Sequence, residues 1–296
     1  MKNCVLLSMD NLDEFGCYDS LLEKPMAAAG WKTHEISWRN KSINWNNFEA
    51  VIIRSCWDYQ DHCEEFLKVL DIINESNAVL VNSLDVVHWN INKHYLKELQ
   101  EQGVQIVPTI WESHYSEKLI KMAYDEFNTS NLIIKPCISA NADDTFRLNS
   151  NSKINHAKLK QAFDNREFMI QPFMPAIIDE GEFSLFFFNG EYSHAILKTP
   201  KTNDFRVQEE HGGQLKAIIP EEKLMQTAAS SLQNIPYTTL YARLDFVRSG
   251  KQFAMMEAEL IEPSLYFNLD KKSPTNFVNA FISFYDEHLS KHTLNK

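Results

Sequence analysis

The first 85 residues alternate short apolar segments with helical patterns, and this alternation constrains the fold more than any other feature of the sequence. The segments CVLLSM, EAVIIRS and AVLVNS are typical of buried strands, and residues 21–29 and 64–73 have helical spacing. Parallel strands need long crossover connections, and helices supply them. The alternation therefore predicts a parallel α/β domain over residues 1–85.

A polar loop, RSCWDYQDH, begins at the end of the second of these strands. Ligands of open α/β sheets bind outside the carboxyl ends of the strands, which is where this loop lies. Arg54, Trp57 and Asp58 are therefore candidate substrate contacts. An ion pair within the loop, covered by the tryptophan, explains the same residues equally well.

The rest of the chain predicts strands and helices in a different order. Residues 90–103 form one apolar helical face, and HAKLKQAF is a second helical pattern. The strand-like segments around them are VQIVPTIW, NLIIKPCISA and FMIQPF. From Gly181 strands dominate: EFSLFFFNGEYSHAILKT predicts a hairpin that turns at Asn189-Gly190, and YARLDFVRSGKQFAMMEAEL predicts a second hairpin. A terminal helix is expected over SPTNFVNAFISFYDEHLSKH.

The second hairpin places acidic side chains on one face. Strand alternation puts Glu257 and Glu259 together, and Arg243 and Asp245 together. Carboxylates seldom enter apolar segments without partners, because taking a charge out of water is costly. One to three carboxylates, with phosphate oxygens completing the shell, suit Mg²⁺. A solvated sheet face on which Glu257 pairs with Arg243 accounts for the pattern equally well.

The length of the hairpin loop decides whether Asp245 shares a face with the two glutamates. A two-residue loop at Ser249-Gly250 would place it on the opposite face. A three-residue loop of Ser249, Gly250 and Lys251 would place it on the same face, with Arg243 opposite Glu257 and Asp245 diagonal to that pair. Such loops often need a glycine in the left-handed region, and Gly250 supplies one. We therefore predict an odd-length loop.

Composition excludes several classes of function. The formal net charge of -11 argues against nucleic acid as the main partner. The odd number of cysteines, with no CxxC pair, suits neither a disulfide framework nor a zinc site. No apolar run is long enough for a membrane span or a signal-peptide core, so we expect a cytoplasmic protein. Neither GxGxxG nor GxxxxGK[ST] occurs, so a bound nucleotide would use neither of those loops.

Polar residues also interrupt the apolar segments before the hairpins. Lys93 lies one turn into its helix, and Lys135 closes the strand NLII. Each lysine taken alone is explained by a stem that lies along apolar surface with its charge in water. The sequence Gln171-Pro172-Phe173 resembles a hinge whose backbone could read an adenine edge.

The segment LKTPKTNDFRVQEEHGGQ combines cations with paired glycines. Lys198 and Arg206 are candidate anion-binding residues, since arginine can hold a phosphate or carboxylate with two bonds. Gly212 and Gly213 permit close approach of the backbone to a ligand. His211 beside them is a candidate substrate contact.

In this order the motifs resemble the ATP-grasp superfamily over about residues 85–265. The motifs that carry the resemblance are Lys93 in NKHYLKEL, Lys135 in IIKPCISA, the hinge QPF, Glu182 in GEFS, DFRVQ with HGG, Asp245 in RLDF, and Glu257 with Glu259 in MEAELIEP. The chain looks similar to glutathione-synthetase-like and ribosomal-S6-modifying-type ligases. It is especially similar to the cycloserine-pathway cyclo-ligases (O-ureido-serine cyclo-ligases), which have segments that resemble RSCWDY and ELIEPSLYF.

The resemblance implies an α/β ATP-grasp fold. The N-terminal domain at 1–85 would be a Rossmann-like pre-ATP-grasp domain, and residues 86–296 would form the ATP-grasp domain. Within it, a mobile lid lobe is expected at about 105–170 and a catalytic lobe at about 171–296.

The resemblance also implies a role for each site residue. The expected ATP-binding residues are Lys93 and Lys135 at the phosphates, Gln171 and Phe173 at adenine, and Glu182 at the ribose. The expected ligands of Mg²⁺, or of Mn²⁺ in its place, are Asp245, Glu257 and Glu259. Arg206, with Lys198, would steady the transferring phosphoryl group.

Two positions depart from the family pattern. The third metal position is often asparagine in relatives, and here it is Glu259. The loop after Lys135, CISANADDTFRL, has no glycine. Ser139, Ala140 and Ala142 would then supply the close approach to the phosphates.

The implied reaction is ligation of a carboxylate to an amine through an acyl phosphate, driven by ATP. The substrate would be a small amino acid, a peptide or a related metabolite, and an intramolecular cyclo-ligase is one form of this reaction. A small-molecule kinase and a catalytically silent nucleotide-binding protein on the same scaffold are the alternatives. Relatives are often homodimers or homotetramers, with no nucleic-acid or membrane partner.

Overall fold

The computed structural model describes residues 1–139 and 142–294, in which the strands form three sheets. The first sheet contains β1 (Lys2–Ser8), β2 (Trp31–Ser37), β3 (Ala50–Ser55) and β4 (Val79–Val81). These strands are parallel and lie in the order β2-β1-β3-β4. Helices α1 (Glu23–Ala28) and α2 (Cys63–Asn74) lie between them in the chain. The predicted parallel α/β unit is therefore confirmed.

Strand β2 is missing from the sequence-based prediction. Its sequence, WKTHEIS, has no apolar run, and only Trp31 within it is buried. As an edge strand it pairs with β1 alone, so its polar side chains face solvent. The alternation of apolar and polar residues in this segment is too weak to distinguish a strand from a loop.

The second sheet is antiparallel and lies in the part of the chain, about residues 105–170, where a lid lobe is expected. It contains β5 (Ile110–Glu112), β6 (Asn131–Pro136), β7 (Phe146–Asn149) and β8 (Phe168–Pro172), in the order β5-β8-β6-β7. Between the strands of this region the chain forms α5 (Glu117–Glu126) and α6 (His156–Phe163). Apolar side chains from the sheet and both helices pack into a separate core, which makes this lobe a compact unit.

The third sheet carries both predicted hairpins. It contains β9 (Glu182–Phe188), β10 (Glu191–Thr199), β11 (Gln214–Ile218), β12 (Tyr241–Ser249) and β13 (Gln252–Glu259), in the antiparallel order β11-β10-β9-β12-β13. The remaining helices are α3 (Leu84–Asn90), α4 (Tyr95–Glu101), α7 (Ala176–Asp179), α8 (Glu222–Gln233) and α9 (Ser273–Leu294). Within the described ranges no helix combines the length and apolarity that a bilayer span requires.

The loop of the second hairpin differs from the prediction. Ser249 pairs with Gln252, so the loop has two residues, Gly250 and Lys251, and the expected odd-length loop is wrong. A bulge then shifts the register between Asp245 and Phe246, so that Asp245 pairs directly with Glu257. One extra residue in a bulged strand re-aims the side chains beyond it. The bulge therefore brings Asp245 onto the face of the glutamates, which the loop alone would not do.

Two buried asparagines connect the first sheet to the end of β13. Asn82 donates to the carbonyl oxygens of Tyr241 (3.0 Å) and Leu260 (2.8 Å). Asn90 donates to the carbonyl oxygen of Ala258 (2.8 Å) and accepts from the Leu260 N–H (3.0 Å). A buried amide that is left without a hydrogen-bond partner lowers the stability of the folded state. These bonds therefore hold β13 against the N-terminal lobe.

Candidate active site

A cavity of about 190 Å³ has walls from the second and third sheets, from the segment after β3, and from residues in and after α3. The predicted site residues that line it are Trp57, Lys93, Lys135, Gln171, Phe173, Glu182, Lys198, Arg206, Asp245, Glu257 and Glu259. The predicted residues that do not line it are Arg54, Asp58, His211, Gly212 and Gly213. The fold therefore gathers the expected ATP-binding, metal-binding and catalytic side chains into one space.

Asp245 lies at the centre of a buried charge network. Its carboxylate accepts from Arg243 (2.9 Å), Lys198 (3.3 Å) and the Ser184 hydroxyl (2.5 Å). Burial raises the pKa of Asp245, but the charges of Arg243 and Lys198 outweigh this effect and lower it to about 2. This carboxylate is therefore ionised at every pH at which the protein would work.

Glu257 faces two lysines from other parts of the chain. Lys93 Nζ lies 3.0 Å from Glu257 Oε1 and also donates to the Ser139 carbonyl oxygen at 2.8 Å. Burial raises the pKa of Glu257, while Lys93 and Lys135 lower it, with a net decrease. Burial in turn lowers the pKa of Lys135. The two lysines and the carboxylate place charges of both signs where a phosphate chain and a cation could sit together.

Glu182 and Lys198 form a second buried ion pair. Lys198 Nζ lies 2.5 Å from Glu182 Oε1 and also contacts Asp245. Burial raises the pKa of Glu182 despite the opposing charge of Lys198. Lys198 thus connects the expected ribose-binding residue to the expected metal-binding residue, and only one carboxylate oxygen of Glu182 is left for a ribose hydroxyl.

Negative charge in the cavity exceeds what the nearby cations neutralise. Glu259 forms an ion pair with Arg243, yet burial and the charges of Asp245 and Glu257 raise the pKa of Glu259 to about 7. Burial and the charge of Glu259 raise the pKa of Glu262 to about 8. Carboxylates that repel one another in a cavity are stabilised when a cation binds between them.

This donor set fits Mg²⁺ in combination with phosphate. In the described part of the chain, no three His, Cys, Asp or Glu side chains are arranged to hold a metal ion by themselves. Asp245 and Glu257 are direct partners across the strand ladder, and Arg243 contacts both Asp245 and Glu259. Mg²⁺ is usually bound through one or two carboxylates plus substrate phosphates rather than by an all-protein cage. Asp245 and Glu257 would form that pair of ligands.

Comparisons with known proteins show which proteins have a similar sequence and fold. Residues 4–82 match the family described as D-cycloserine synthetase DcsG, N-terminal domain. Over 262 residues the chain is 27% identical to the cycloserine biosynthesis protein DcsG of Streptomyces lavendulae, which covers 82% of this chain and 85% of that protein. The crystal structure of D-cycloserine synthetase DcsG superposes with a TM-score of 0.84 at 22% identity, covering 96% of this chain and 99% of that chain.

The ATP-grasp ligase PsnB, complexed with a variant of its minimal precursor, Mg and ADP, superposes with a TM-score of 0.67 at 13% identity. This match covers 96% of this chain and 98% of that chain. The chain has the ATP-grasp fold. The predicted fold and the predicted resemblance to the cycloserine-pathway group are therefore confirmed.

Within the ATP-grasp fold, the hinge lies between the second and third sheets. Gln171 is buried and its Nε2 donates to the Thr109 hydroxyl at 2.9 Å. The Phe173 N–H donates to the Asn131 carbonyl oxygen at 2.9 Å, so this N–H is not free for adenine. The Phe173 ring meets Phe205 edge-on, at 6.4 Å between ring centroids. Phe173 would therefore contact a base through its ring or its carbonyl.

The loop after β10 carries Arg206 into the cavity lining. Arg206 is held by Asp204 through two nitrogen atoms, at 3.1 and 2.8 Å, and its side chain is 38% exposed. A phosphoryl group would have to compete with Asp204 for this guanidinium.

The paired glycines serve the loop itself rather than a ligand. A Cβ on Gly213 would lie 2.0 Å from the Val207 carbonyl oxygen, and Gly212 has a φ of +82°. The close backbone approach is therefore to the chain's own loop. His211, half-buried before them, lies outside the cavity lining, and the proposed substrate contacts at 211–213 have no support in this arrangement.

Two of the three candidate contacts in RSCWDYQDH form ion pairs with residues outside this segment. Arg54, in β3, is buried and contacts Asp19 at 3.0 Å, and Asp58 contacts Arg39 at 2.9 Å. The ion pair within the loop, which was the alternative interpretation, is therefore not the one that forms. Trp57 differs, because it lines the cavity and its Nε1 donates to the Glu262 carbonyl oxygen at 2.8 Å.

The glycine-free loop after Lys135 approaches the cavity with left-handed backbone instead of glycine. Ala142 has a φ of 58° and Asp144 a φ of 46°, and Ser139 and Ala142 line the cavity. Ala140, the third residue expected there, lies outside the described residues. Non-glycine residues in this region are uncommon and concentrate at functional sites.

Sequence reasoning missed several residues that line the cavity. These are Tyr59, Glu262, Ser264 and Tyr266 among others. A signal was present in IEPSLYF, where polar and apolar residues alternate directly after the acidic strand. That alternation predicts one face toward a site and one toward the core.

Proposed function

We propose that this chain is an ATP-dependent ligase that joins a carboxylate to an amine through an acyl phosphate. Its substrate would be a small amino acid or related metabolite, and the reaction would be intramolecular, as in a cyclo-ligase. The observation that carries the proposal is the pairing of Asp245 with Glu257 across β12 and β13, with Lys93 and Lys135 facing Glu257. The relatives named for cycloserine synthesis support the cyclo-ligase form.

The lysines would orient the triphosphate chain. Lys93 is fixed by the Ser139 carbonyl oxygen and Glu257, so its ammonium is held in place before substrate binds. Preorganised charges cost no rearrangement during the reaction and therefore stabilise its transition state. Burial lowers the pKa of Lys135. A bound phosphate would raise this pKa again and so favour the charged form of the lysine.

Asp245 and Glu257 would hold Mg²⁺ at the phosphates, and Mn²⁺ is the alternative ion. When bound, the ion would act as a Lewis acid toward the transferring phosphoryl group. Arg243 and Lys198 keep Asp245 ionised, so the chain maintains this carboxylate as a ligand.

The reaction would proceed in two steps. A substrate carboxylate oxygen attacks the γ-phosphorus, the bond to ADP breaks, and an acyl phosphate forms. A substrate nitrogen then attacks the acyl carbon, phosphate leaves, and the nitrogen loses a proton. Arg206, once released from Asp204, would neutralise the charge on the transferring group. The second sheet would exclude water, which otherwise hydrolyses the acyl phosphate.

The test is a product assay with O-ureidoserine, ATP and Mg²⁺. A ligase releases ADP and inorganic phosphate together only when substrate is present. ADP without phosphate would indicate a kinase, and neither product would indicate a silent nucleotide-binding protein.

The variant Glu257→Gln tests the carboxylate itself, because it preserves volume. We expect its turnover to fall about 100-fold or more, the loss typical for one preorganised electrostatic contact. Glu191→Gln, an exposed change at the start of β10, is the matched control and should behave like the wild type. Near-normal turnover of Glu257→Gln would contradict the assigned role.

A further inference from the structure

The segment that follows β13 presents alternate residues to the cavity. Glu262, Ser264 and Tyr266 line the cavity, whereas Ile261 and Leu265 are buried in the cores behind it. Tyr266 adopts a φ of 44°, a costly conformation for a bulky residue. The chain thus builds a polar wall directly beyond the acidic strand, and the proposed roles in ATP binding do not use it.

Glu262 is the charged residue of this wall. Within residues 1–139 and 142–294 its carboxylate has neither a hydrogen bond nor an ion pair, unlike Asp245, Glu257 and Glu259. It is half-buried, and burial together with the charge of Glu259 raises its pKa to about 8. A carboxylate in this position is stabilised by a cation that arrives with the substrate.

Aromatic residues of the N-terminal lobe lie on the same side of the cavity. Trp57 donates its Nε1–H to the Glu262 carbonyl oxygen at 2.8 Å, and Tyr59 is buried and lines the cavity with it. Aromatic faces attract ammonium groups, and desolvation strengthens the attraction. An unpaired carboxylate beside two aromatic rings is chemistry suited to an organic ammonium.

The spacing from the metal-binding strand fits an amino acid. Glu262 lies three residues beyond Glu259, so the backbone separates the two by at most about 10 Å. Glu262, Glu257 and Lys93 line the same cavity, so an amino acid whose ammonium group lies at Glu262 can keep its carboxylate in the space where phosphoryl transfer is proposed. Arg243 contacts both the acidic strands and this wall, since its Nη2 forms ion pairs with Asp245 and Glu259 and its Nη1 donates to the Ser264 carbonyl oxygen at 3.3 Å.

We infer that Glu262, with Trp57 and Tyr59 beside it, binds the ammonium group of an α-amino-acid substrate. This inference rests on the proposed ligase function and names the substrate class that the site selects. Glu262 is thereby a specificity-determining residue, separate from the carboxylates assigned to Mg²⁺. A glutamine at this position would keep the shape and hydrogen-bonding capacity but lose the charge.

The experiment compares the D and L forms of O-ureidoserine with their α-hydroxy analogues, in which a hydroxyl replaces the ammonium. ADP release is measured for the wild type, Glu262→Gln, Glu262→Asp and the surface control Glu191→Gln. We expect the wild type to prefer the ammonium compound by about 30-fold or more in kcat/KM, the effect of one charged hydrogen bond. In Glu262→Gln this preference should fall to within about threefold, through KM for the amino substrate, and Glu262→Asp should restore part of it.

The outcomes separate the inference from the function on which it rests. Equal use of ammonium and hydroxyl compounds by the wild type, or an unchanged preference in Glu262→Gln, overturns the ammonium site and leaves the ligase intact. A Glu262→Gln variant that instead needs more Mg²⁺, with its substrate preference unchanged, would make Glu262 a metal ligand and also overturn the inference. Absence of ADP release from the wild type with all four compounds would overturn the proposed function, and the inference with it. Melting temperatures of the variants show whether each is folded.

Discussion

Replacing Asp245 by asparagine removes the charge at the centre of the buried network while preserving the size of the side chain. Asp245 is 3% exposed and balances both Arg243 and Lys198. Its pKa of about 2 lies below its ordinary value of 3.8, so its ionisation stabilises the native state above pH 3.8 and this contribution is lost as the pH falls through 2. At about 1.4 kcal/mol for each pH unit between the two values, the contribution at neutral pH is about 2–3 kcal/mol.

Breaking a buried ion pair by removing one partner typically costs about 3–5 kcal/mol. Here the two cations keep other partners, since Lys198 also contacts Glu182 and Arg243 also contacts Glu259. We therefore expect Asp245→Asn to lower the free energy of unfolding by about 3 kcal/mol, the lower end of that range.

Urea denaturation followed by circular dichroism measures this loss, and an unchanged m value would show that the unfolded state is not responsible. Asp71→Asn, an exposed change on α2, is the matched control and should stay within about 0.5 kcal/mol of the wild type. A stability of Asp245→Asn equal to the wild type would refute the claim that this carboxylate holds the network together.

Three further predictions concern the loop and two buried titrating groups. Gly213→Ala should lower kcat/KM for ATP about tenfold or more, because its Cβ would lie 2.0 Å from the Val207 carbonyl oxygen and displace the loop that carries Arg206. Steady-state kinetics measure this change, and unchanged kinetics would show that the loop does not order the site. Between pH 4.5 and 8 the melting temperature of the wild type in EDTA should fall relative to that of Glu262→Gln, because the folded pKa of Glu262, about 8, exceeds its ordinary value of 4.5; a difference between the two proteins that stays constant with pH would contradict the raised pKa. Burial lowers the pKa of His194 to about 4 from 6.5, so its contribution to stability should be lost as the pH falls from 6.5 through 4; a wild-type pH profile indistinguishable from that of His194→Gln would contradict this assignment.

The sequence predicted most of the fold because its patterns are local. The helix at His156–Phe163, the turn at Asn189-Gly190 and most of the strand-like runs are found where hydrophobic period and turn residues placed them, but only the last two residues of VQIVPTIW belong to a strand, β5. The polar edge strand β2 and the bulge next to Asp245 were not predictable in the same way. Both features depend on how a strand pairs with its neighbour, and the sequence pattern of one strand does not determine its register with the next.

In the candidate site, too, local patterns predicted some residues correctly, whereas residues with long-range partners were not predicted. Glu257 and Glu259, whose strand positions determine their direction, line the cavity as predicted from alternation, whereas Asp245 joins them through the bulge that was not predicted. Arg54 does not, because its partner Asp19 comes from a distant 3-10 helix that the sequence gives no reason to place there. Gly213 similarly serves a contact with Val207 that only the folded loop reveals. Long-range pairing, rather than residue type, decides these cases.

The central claim is that the carboxylates of β12 and β13 hold a divalent ion against the phosphates of ATP. A crystal structure with Mg²⁺ and a non-hydrolysable ATP analogue tests it most directly. The account predicts an ion with oxygen atoms of Asp245 and Glu257 at about 2.1 Å, bridging to phosphate oxygens. An ion bound only by phosphates and water, or a nucleotide whose phosphates lie away from this hairpin, would contradict it.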